Sequence, residues 1–265
     1  MRYGILGHLE VYDGTRMVPV AHGRSRLLLA VLLVHADAPV PSEKLIDSLW
    51  GETPPPTASR SLYNLVSGLR KALGPERLIT HPRGGYQLSL NGDDLDAARF
   101  QMLAAGGRDA LAAADAEQAA RLLRDALELW RGPAFGELAY ATVLVAEVAR
   151  LEELRLVALE DRIDADLALG RHSELVAELD ALIVDHPLRE RMRGQLILAL
   201  YRSGRQAEAL DVYRDARRAL LDELGLEPSE ELQGLQRAIL DHDPSLAAPP
   251  RVETPRGTGS GPARE

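Results

Sequence analysis

The chain has no cysteine, which excludes disulfide bridges and thiolate metal sites. It has only two lysines, Lys44 and Lys71, so arginine carries nearly all of its positive charge. Aromatic residues are few, with 2 Trp, 2 Phe and 7 Tyr in 265 residues, while Ala and Leu are abundant, and this balance points to helices rather than sheets. No apolar run approaches the roughly 20 residues that cross a bilayer. The opening stretch MRYGILGHLEV is too short and too soon interrupted for a secretory signal, so a cytoplasmic protein with no membrane partner is expected. Recognisable catalytic patterns are missing too. Neither lysine closes a Gly-x-x-x-x-Gly-Lys loop, and Gly23-Arg24-Ser25-Arg26-Leu27 lacks the second glycine of a nucleophile elbow. The glycines from Gly257 to Gly261 lie in a polar tail. The histidines at 8, 22, 35, 81, 172, 186 and 242 show no ligand spacing. Glu152-Glu153, Glu160-Asp161 and Glu230-Glu231 read as acids on helix surfaces rather than catalytic pairs. No enzyme, metal or cofactor is expected.

What is present divides the chain in two. The first 90 residues hold 10 Lys or Arg against 7 Asp or Glu, a balance of +3 within a net charge of −9, and the remainder stands at −12. Long-range electrostatics therefore favour an anionic ligand at the front and disfavour one at the back.

The opening segment alternates, with Tyr3, Ile5, Leu9 and Val11 apolar, and Asp13-Gly14 signals a hairpin turn before a return strand from Met17 to Val20. A small antiparallel sheet is expected. RSRLLLAVLLVHA is apolar nearly all round, which predicts a centrally buried helix. Pro41-Ser42-Glu43 opens a second helix, with Ser42 as N-cap and Glu43 at the positive end of the dipole, and Gly51 closes it. Pro54-Pro55-Pro56 then breaks the chain. A third helix follows, capped by Thr57 or Ser59 and ended by Gly74-Pro75, and after it a two-strand hairpin, RLITHPRGGYQLSL. Sheet, three helices and hairpin are the plan of a winged helix with an added N-terminal sheet.

Beyond a boundary near Asn91-Gly92-Asp93-Asp94 the chain reads as helical almost throughout. Helices are expected over 95–113, 116–130, 142–169, 173–185, 189–202, 206–224 and 229–241. The last stretch, AAPPRVETPRGTGSGPARE, lacks the means to build a core and reads as disordered tail or linker. Gly170 and Gly204 stand 34 residues apart, each between two helices. After Gly204 come Ala209, Tyr213 and Ala216, the small-aromatic-small spacing of a tetratricopeptide second helix. After Gly170 the matching positions are Leu175, Leu179 and Leu182, with Pro187 at the repeat end, and Ala119, Leu123 and Ala126 form an earlier partial copy. Stacked helix pairs of this kind present a concave surface that binds protein.

The third helix is the most informative element. Leu62, Val66, Leu69 and Leu73 make one apolar stripe at helical spacing. Arg60, Ser61, Asn64, Ser67, Gly68 and Lys71 occupy the other side, which carries no acid. That face, beside a hairpin bearing Arg83, suits a phosphate-lined groove. It also describes an ordinary solvated helix face, and the local pattern leaves both readings open.

Several longer motifs together resemble the Streptomyces antibiotic regulatory proteins, activators of secondary-metabolite gene clusters. They are YGILGHLEV, HGRSRLLLAVLLVHA, LIDSLWGETPP, SLYNLVSGLRKALG, HPRGGYQL, DLDAARF, ALELWRGPAF and LLDELGLEPSEEL, and the resemblance covers residues 1 to about 244. It implies a mainly α fold with a small β component: an OmpR-type winged helix-turn-helix at 1–91, an all-α tetratricopeptide-like bacterial transcriptional activation domain at 92–244, and the tail at 245–265. Residues implied at DNA are Arg24, Arg26, Thr57, Arg60, Ser61, Asn64, Ser67, Arg70, Lys71, His81 and Arg83. Arg60, Asn64 and Ser67 would approach base edges, Arg70 and Lys71 phosphate, and Arg83 the minor groove or its backbone. Arg24 and Arg26 would hold flanking phosphates, or else are two solvated arginines. Implied partners are promoter DNA with tandem direct repeats, RNA polymerase with its sigma factor, and a second copy of the chain on DNA, in the nucleoid. Gly68 departs from the family pattern, which tends to Arg there, and Leu65 stands where an aromatic is common. With the modest front charge, Gly68 keeps a helical-repeat adaptor without DNA binding as one alternative. The N-terminal part of a longer regulator with a nucleotide-binding module is the other.

Overall fold

The computed structural model describes residues 1–82 and 84–247. Contacts divide the chain into two compact units. Met1–Asp109 with Arg121–Leu159 form the first, and Ala110–Ala120 with the described residues from Glu160 onward form the second. The composition shift near Asn91-Gly92 falls inside the first unit.

The first unit opens with β1 (Arg2–Gly4), β2 (Glu10–Asp13) and β3 (Arg16–Met17), antiparallel neighbours with Tyr3 opposite Val11 and Asp13 opposite Arg16. Alternation turns Tyr3 and Val11 into the core. A fourth strand, β6 (Asp94–Leu95), lies parallel to β1, so the order is β3-β2-β1-β6 and the sheet is mixed rather than purely antiparallel. Two residues are too few to show a period, which is why the sequence gives no hint of it.

Three helices follow: α1 (Arg24–Val34), α2 (Ser42–Trp50) and α3 (Ala58–Leu73). Residues Leu28 to Leu33 of α1 are all buried, as an all-round apolar helix requires. Ser42 is the first helical residue and not the cap. Pro41, extended at ψ 144°, takes the N-cap position and its carbonyl accepts the first helical bond from Leu45. In α3, Leu62, Val66, Leu69 and Leu73 are buried with Ala58, and Gly74 at φ 101° ends the helix. The wing is the antiparallel pair β4 (Leu78–Thr80) and β5 (Tyr86–Leu88). Val40 exchanges both backbone hydrogen bonds with Tyr86 (2.8 and 2.9 Å), which roots the wing on the loop between α1 and α2. Gly85 is required there: its φ is +114°, and a Cβ would come within 2.4 Å of the Val40 carbonyl oxygen.

The N-terminal sheet is tied to α4 (Asp96–Ala112) by one carboxylate. Asp96 accepts hydrogen bonds from the Ile5 and Leu6 amides (2.8–3.1 Å) and from Arg131 (2.8 Å), and Arg131 also pairs with Glu10. Burial pushes the Asp96 carboxyl up, against the pull of those two amides and the guanidinium. The Arg131 and Phe135 amides bond back to the Leu6 and Ile5 carbonyls. α5 (Ala116–Leu127) packs on α4 where Gly107 faces Leu123, and Ala119, Leu123 and Ala126 are all buried. A 3-10 turn spans Gly136–Leu138, and α6 (Val145–Ala168) follows.

The second unit carries α7 (His172–Asp185), α8 (Glu190–Arg202), α9 (Gln206–Leu224) and α10 (Glu230–Leu240), with α8 against α7, α9 and α10. Gly170 and Gly204 both turn the chain with positive φ (75° and 77°). Ala209, Tyr213 and Ala216 are buried, as are Leu175 and Leu179, while Leu182 is half-buried. Ser229 caps α10 through its hydroxyl. Glu160 and Asp161 correct the surface reading of that pair: they are buried, Glu160 facing Arg189 (3.0 Å) and Asp161 facing Arg191 (2.6 Å). Cations at the start of α8 make the burial tolerable. Within the tail read as disordered, residues 245–247 are described, and Pro244–Leu246 form a 3-10 turn whose Leu246 carbonyl accepts from Arg202 (3.0 Å). Residues 248–265 lie outside the described residues.

Two expectations follow. Asp96→Ala strands two amides and leaves Arg131 with Glu10 alone, and should lower stability by about 3–5 kcal/mol, read as a fall in urea midpoint with an unchanged slope. A fragment ending at residue 92 loses β6 and Asp96. It should melt well below one ending at residue 159 in a thermal scan.

Candidate nucleic-acid interface

Thr57, Arg60, Asn64, Ser67 and Lys71 are spaced three and four apart, so they line one face of α3, and all are exposed. Neither Arg60 nor Lys71 has an ion-pair partner among the described residues. The helix contains no acid, and its first turn is uncapped by the Thr57 side chain. Its amino end therefore presents the Ser59 and Arg60 amides and the positive end of the dipole beside Arg60, while Lys71 lies in the last turn. Ser61 is half-buried at the edge of this face.

Arg70 is not free in the same way. Its Nε donates to the Leu78 carbonyl (2.9 Å) and its guanidinium to the Thr80 hydroxyl (2.6 Å), so it fastens α3 to the wing. His81 is half-buried, its Nε2 at 2.7 Å from Gln87 Oε1, and Gln87 in turn donates to the Asp37 carbonyl (3.0 Å). This chain holds the base of the wing against the α1–α2 loop. Arg24 is exposed, with its guanidinium 5.3 Å from the centre of the Trp50 ring. Arg26 turns toward the sheet: it donates to the Leu9 carbonyl (2.6 Å) and pairs with Glu137 (3.1 Å). The His8 hydrogen bond, with Arg26 behind it, holds the Glu137 carboxyl below the usual range. The structure thus brings Thr57, Arg60, Asn64, Ser67 and Lys71 together, gives Arg70 and His81 to the wing, and engages Arg26 elsewhere. Arg83 lies outside the described residues.

Gly68 is exposed beside Lys71, at the rim of a shallow apolar recess of about 330 Å³ formed with Pro19, Val20, Ala21 and Leu69. A Cβ at Gly68 would meet nothing within 4 Å. Tyr63, on the other flank, is 62% exposed. It escaped the reading of the sequence, although its place three residues after Arg60 and four before Ser67 puts it on the outer face.

Two cations, an amide, hydroxyls and the helix amino terminus thus line one face of a helix that itself contains no acid. Such a set can recognise an anionic polymer by charge and hydrogen bonding. Among the described residues no group of His, Asp or Glu is placed to hold a metal ion, and no helix is long and apolar enough to cross a membrane.

A three-helix core with a wing, an exposed third helix and an attached helical-repeat half defines a winged helix-turn-helix transcription regulator. Residues 21–88 match the family model described as transcriptional regulatory protein, C terminal, and residues 95–240 match the bacterial transcriptional activator domain. The regulatory protein DnrI of Streptomyces peucetius is 37% identical over 257 residues, covering 93% of this chain and 94% of that protein. The regulatory protein AfsR of Streptomyces coelicolor is 45% identical over 248 residues, 93% of this chain. The chain spans about a quarter of the length of AfsR from either Streptomyces coelicolor or Streptomyces griseus. The solved structure of Mycobacterium tuberculosis EmbR in complex with a low-affinity phosphopeptide superposes with a TM-score of 0.87 at 37% identity, over 92% of this chain and 65% of that one. The chain belongs to the Streptomyces antibiotic regulatory protein family of transcriptional activators.

Because position 68 has open space and an ordinary helical backbone, Gly68→Ala should stabilise the first unit by about 1 kcal/mol. A urea titration of the two proteins measures it, and no gain would mean that the glycine relieves a strain the contacts do not show.

Proposed function

We propose that this chain is a sequence-specific DNA-binding activator of a secondary-metabolite gene cluster. The observation that carries the reading is the outward face of α3, exposed, acid-free and with Arg60 and Lys71 unpaired among the described residues. The helix enters the major groove with Arg60, Asn64 and Ser67 at base edges and Lys71 at phosphate. Thr57 and the first-turn amides meet a backbone phosphate. Arg70 and His81 keep the wing at the angle that brings it to the flanking backbone. The antibiotic-regulator relatives support the choice of target genes.

Two copies occupy direct repeats about one helical turn apart, which sets both on one side of the duplex. The residues after position 90, at net −12, stay off DNA and present an acidic helical surface to RNA polymerase and its sigma factor. The protein works in the cytoplasm, on the nucleoid. In functional terms the division is 1–91 for DNA and 92–244 for activation. A second reading, the front segment of a longer regulator, is favoured by the small share of AfsR that the chain covers. The mass of the native protein in its own cells decides between them.

Footprinting on the intergenic DNA beside its own gene tests binding and repeat spacing together. Absence of a specific footprint at any salt would leave the adaptor reading. Arg60→Ala should cost about 1–3 kcal/mol on the specific site and little on random DNA. Lys71→Ala should weaken both alike and flatten the salt dependence by about one unit of log–log slope. A fluorescence-anisotropy series over salt concentration reads both. Small equal effects would mean that this face does not meet DNA.

A further inference from the structure

We infer that Tyr63 is a specificity-determining residue whose ring reads the 5-methyl group of a thymine in the major groove. The inference rests on the DNA-binding reading of α3. It begins from an anomaly: a large aromatic side chain stands 62% exposed on an otherwise polar helix face. No hydrogen bond or ring contact holds it among the described residues. The buried stripe of α3 is already complete without it. A tyrosine this exposed contributes little to the fold, and its apolar area favours any partner that covers it.

The position chooses the partner. At about 100° per residue, Tyr63 lies roughly 60° round the helix from Arg60. It therefore sits next to the base-reading residues, on the flank that Arg70 also occupies. Arg70, the cation on that flank, is already bonded to Leu78 and Thr80. On this side of α3 the free group is therefore a ring rather than a charge. The opposite flank offers the small Ser61 and Thr57 and, at Gly68, a shallow apolar recess where the helix has no side chain. Of the chemical groups on the floor of a major groove, the thymine methyl is the apolar one, and an aromatic ring is suited to cover it. A ring contact of this kind needs no charge and leaves the phosphate contacts to Lys71.

The test uses duplexes that the full-length protein itself selects from a random-sequence pool. Each thymine of the selected site is replaced in turn by deoxyuridine, which removes the methyl and keeps base pairing. The wild-type protein should lose about fourfold in affinity at one or two positions, the factor that burying about one methyl gives. Tyr63→Ala should bind the parent duplex that much more weakly and show no response to deoxyuridine at those positions. Tyr63→Phe should respond as the wild type does. The residue is exposed, so neither change threatens the fold, and unaltered binding to random DNA at low salt checks that. An equal deoxyuridine response in wild type and Tyr63→Ala overturns the inference while leaving DNA binding in place. Uniform weakening by Tyr63→Phe on every duplex also overturns it, since that marks a phosphate contact through the hydroxyl. Recovery of no preferred duplex removes the DNA reading and this inference together.

Discussion

Leu62, Val66, Leu69 and Leu73 lie on one side of α3, and their burial sets the direction in which Arg60, Asn64, Ser67 and Lys71 face. Four aliphatic side chains taken from water contribute about 6–12 kcal/mol at the usual 1.5–3 kcal/mol each. Rotating the helix by one residue would expose part of that stripe and push a guanidinium inward. No surface interaction on this helix approaches that cost. Gly68 weakens α3 by only about 1 kcal/mol. The exposed face can therefore carry residues chosen for recognition, including an unpacked tyrosine, without putting the orientation of the helix at risk.

A second constraint holds the frame around that helix. Asp96 gathers the amides of Ile5 and Leu6 and the guanidinium of Arg131, joining the segment just after the first strand, the fourth helix and the segment after α5. Its burial is unfavourable for a carboxylate, as the upward shift of its carboxyl shows, and its three partners make that burial possible. The parallel strand β6 sits immediately before it. The wing is fixed separately, by the Val40–Tyr86 bridge and by Arg70 reaching from α3 to β4. The outward face of α3 and the wing are thus positioned by neighbours on both sides.

Much of this was legible in residue order. Period and punctuation marked α1, α3, the hairpin and the helical repeats, and the ends of α9 fall at Gln206 and Leu224 as the pattern predicts. Elements without a period were not legible. β6 is two residues long, and Pro41 displaced Ser42 as cap because an extended proline already supplies the needed backbone. At the interface, the polar stripe could be read, since it is the complement of the leucines. The engagement of Arg26 with Leu9 and Glu137, and of Arg70 with the wing, could not, because their partners are distant in sequence.

The amino-acid sequence by itself determined the helical periods, the turn glycines, the acid-free face of the third helix, the charge contrast between front and back, and the family. These are local or compositional properties, and a chain carries them before it folds. Tertiary structure alone decided which arginines remain free, that Glu160 and Asp161 are buried against arginines, that Asp96 binds the sheet, and that Tyr63 stands uncovered. Each of those depends on a partner brought from elsewhere in the chain. Hydrogen bonds and ion pairs act over a few ångströms, and only the packed backbone says which groups come that close.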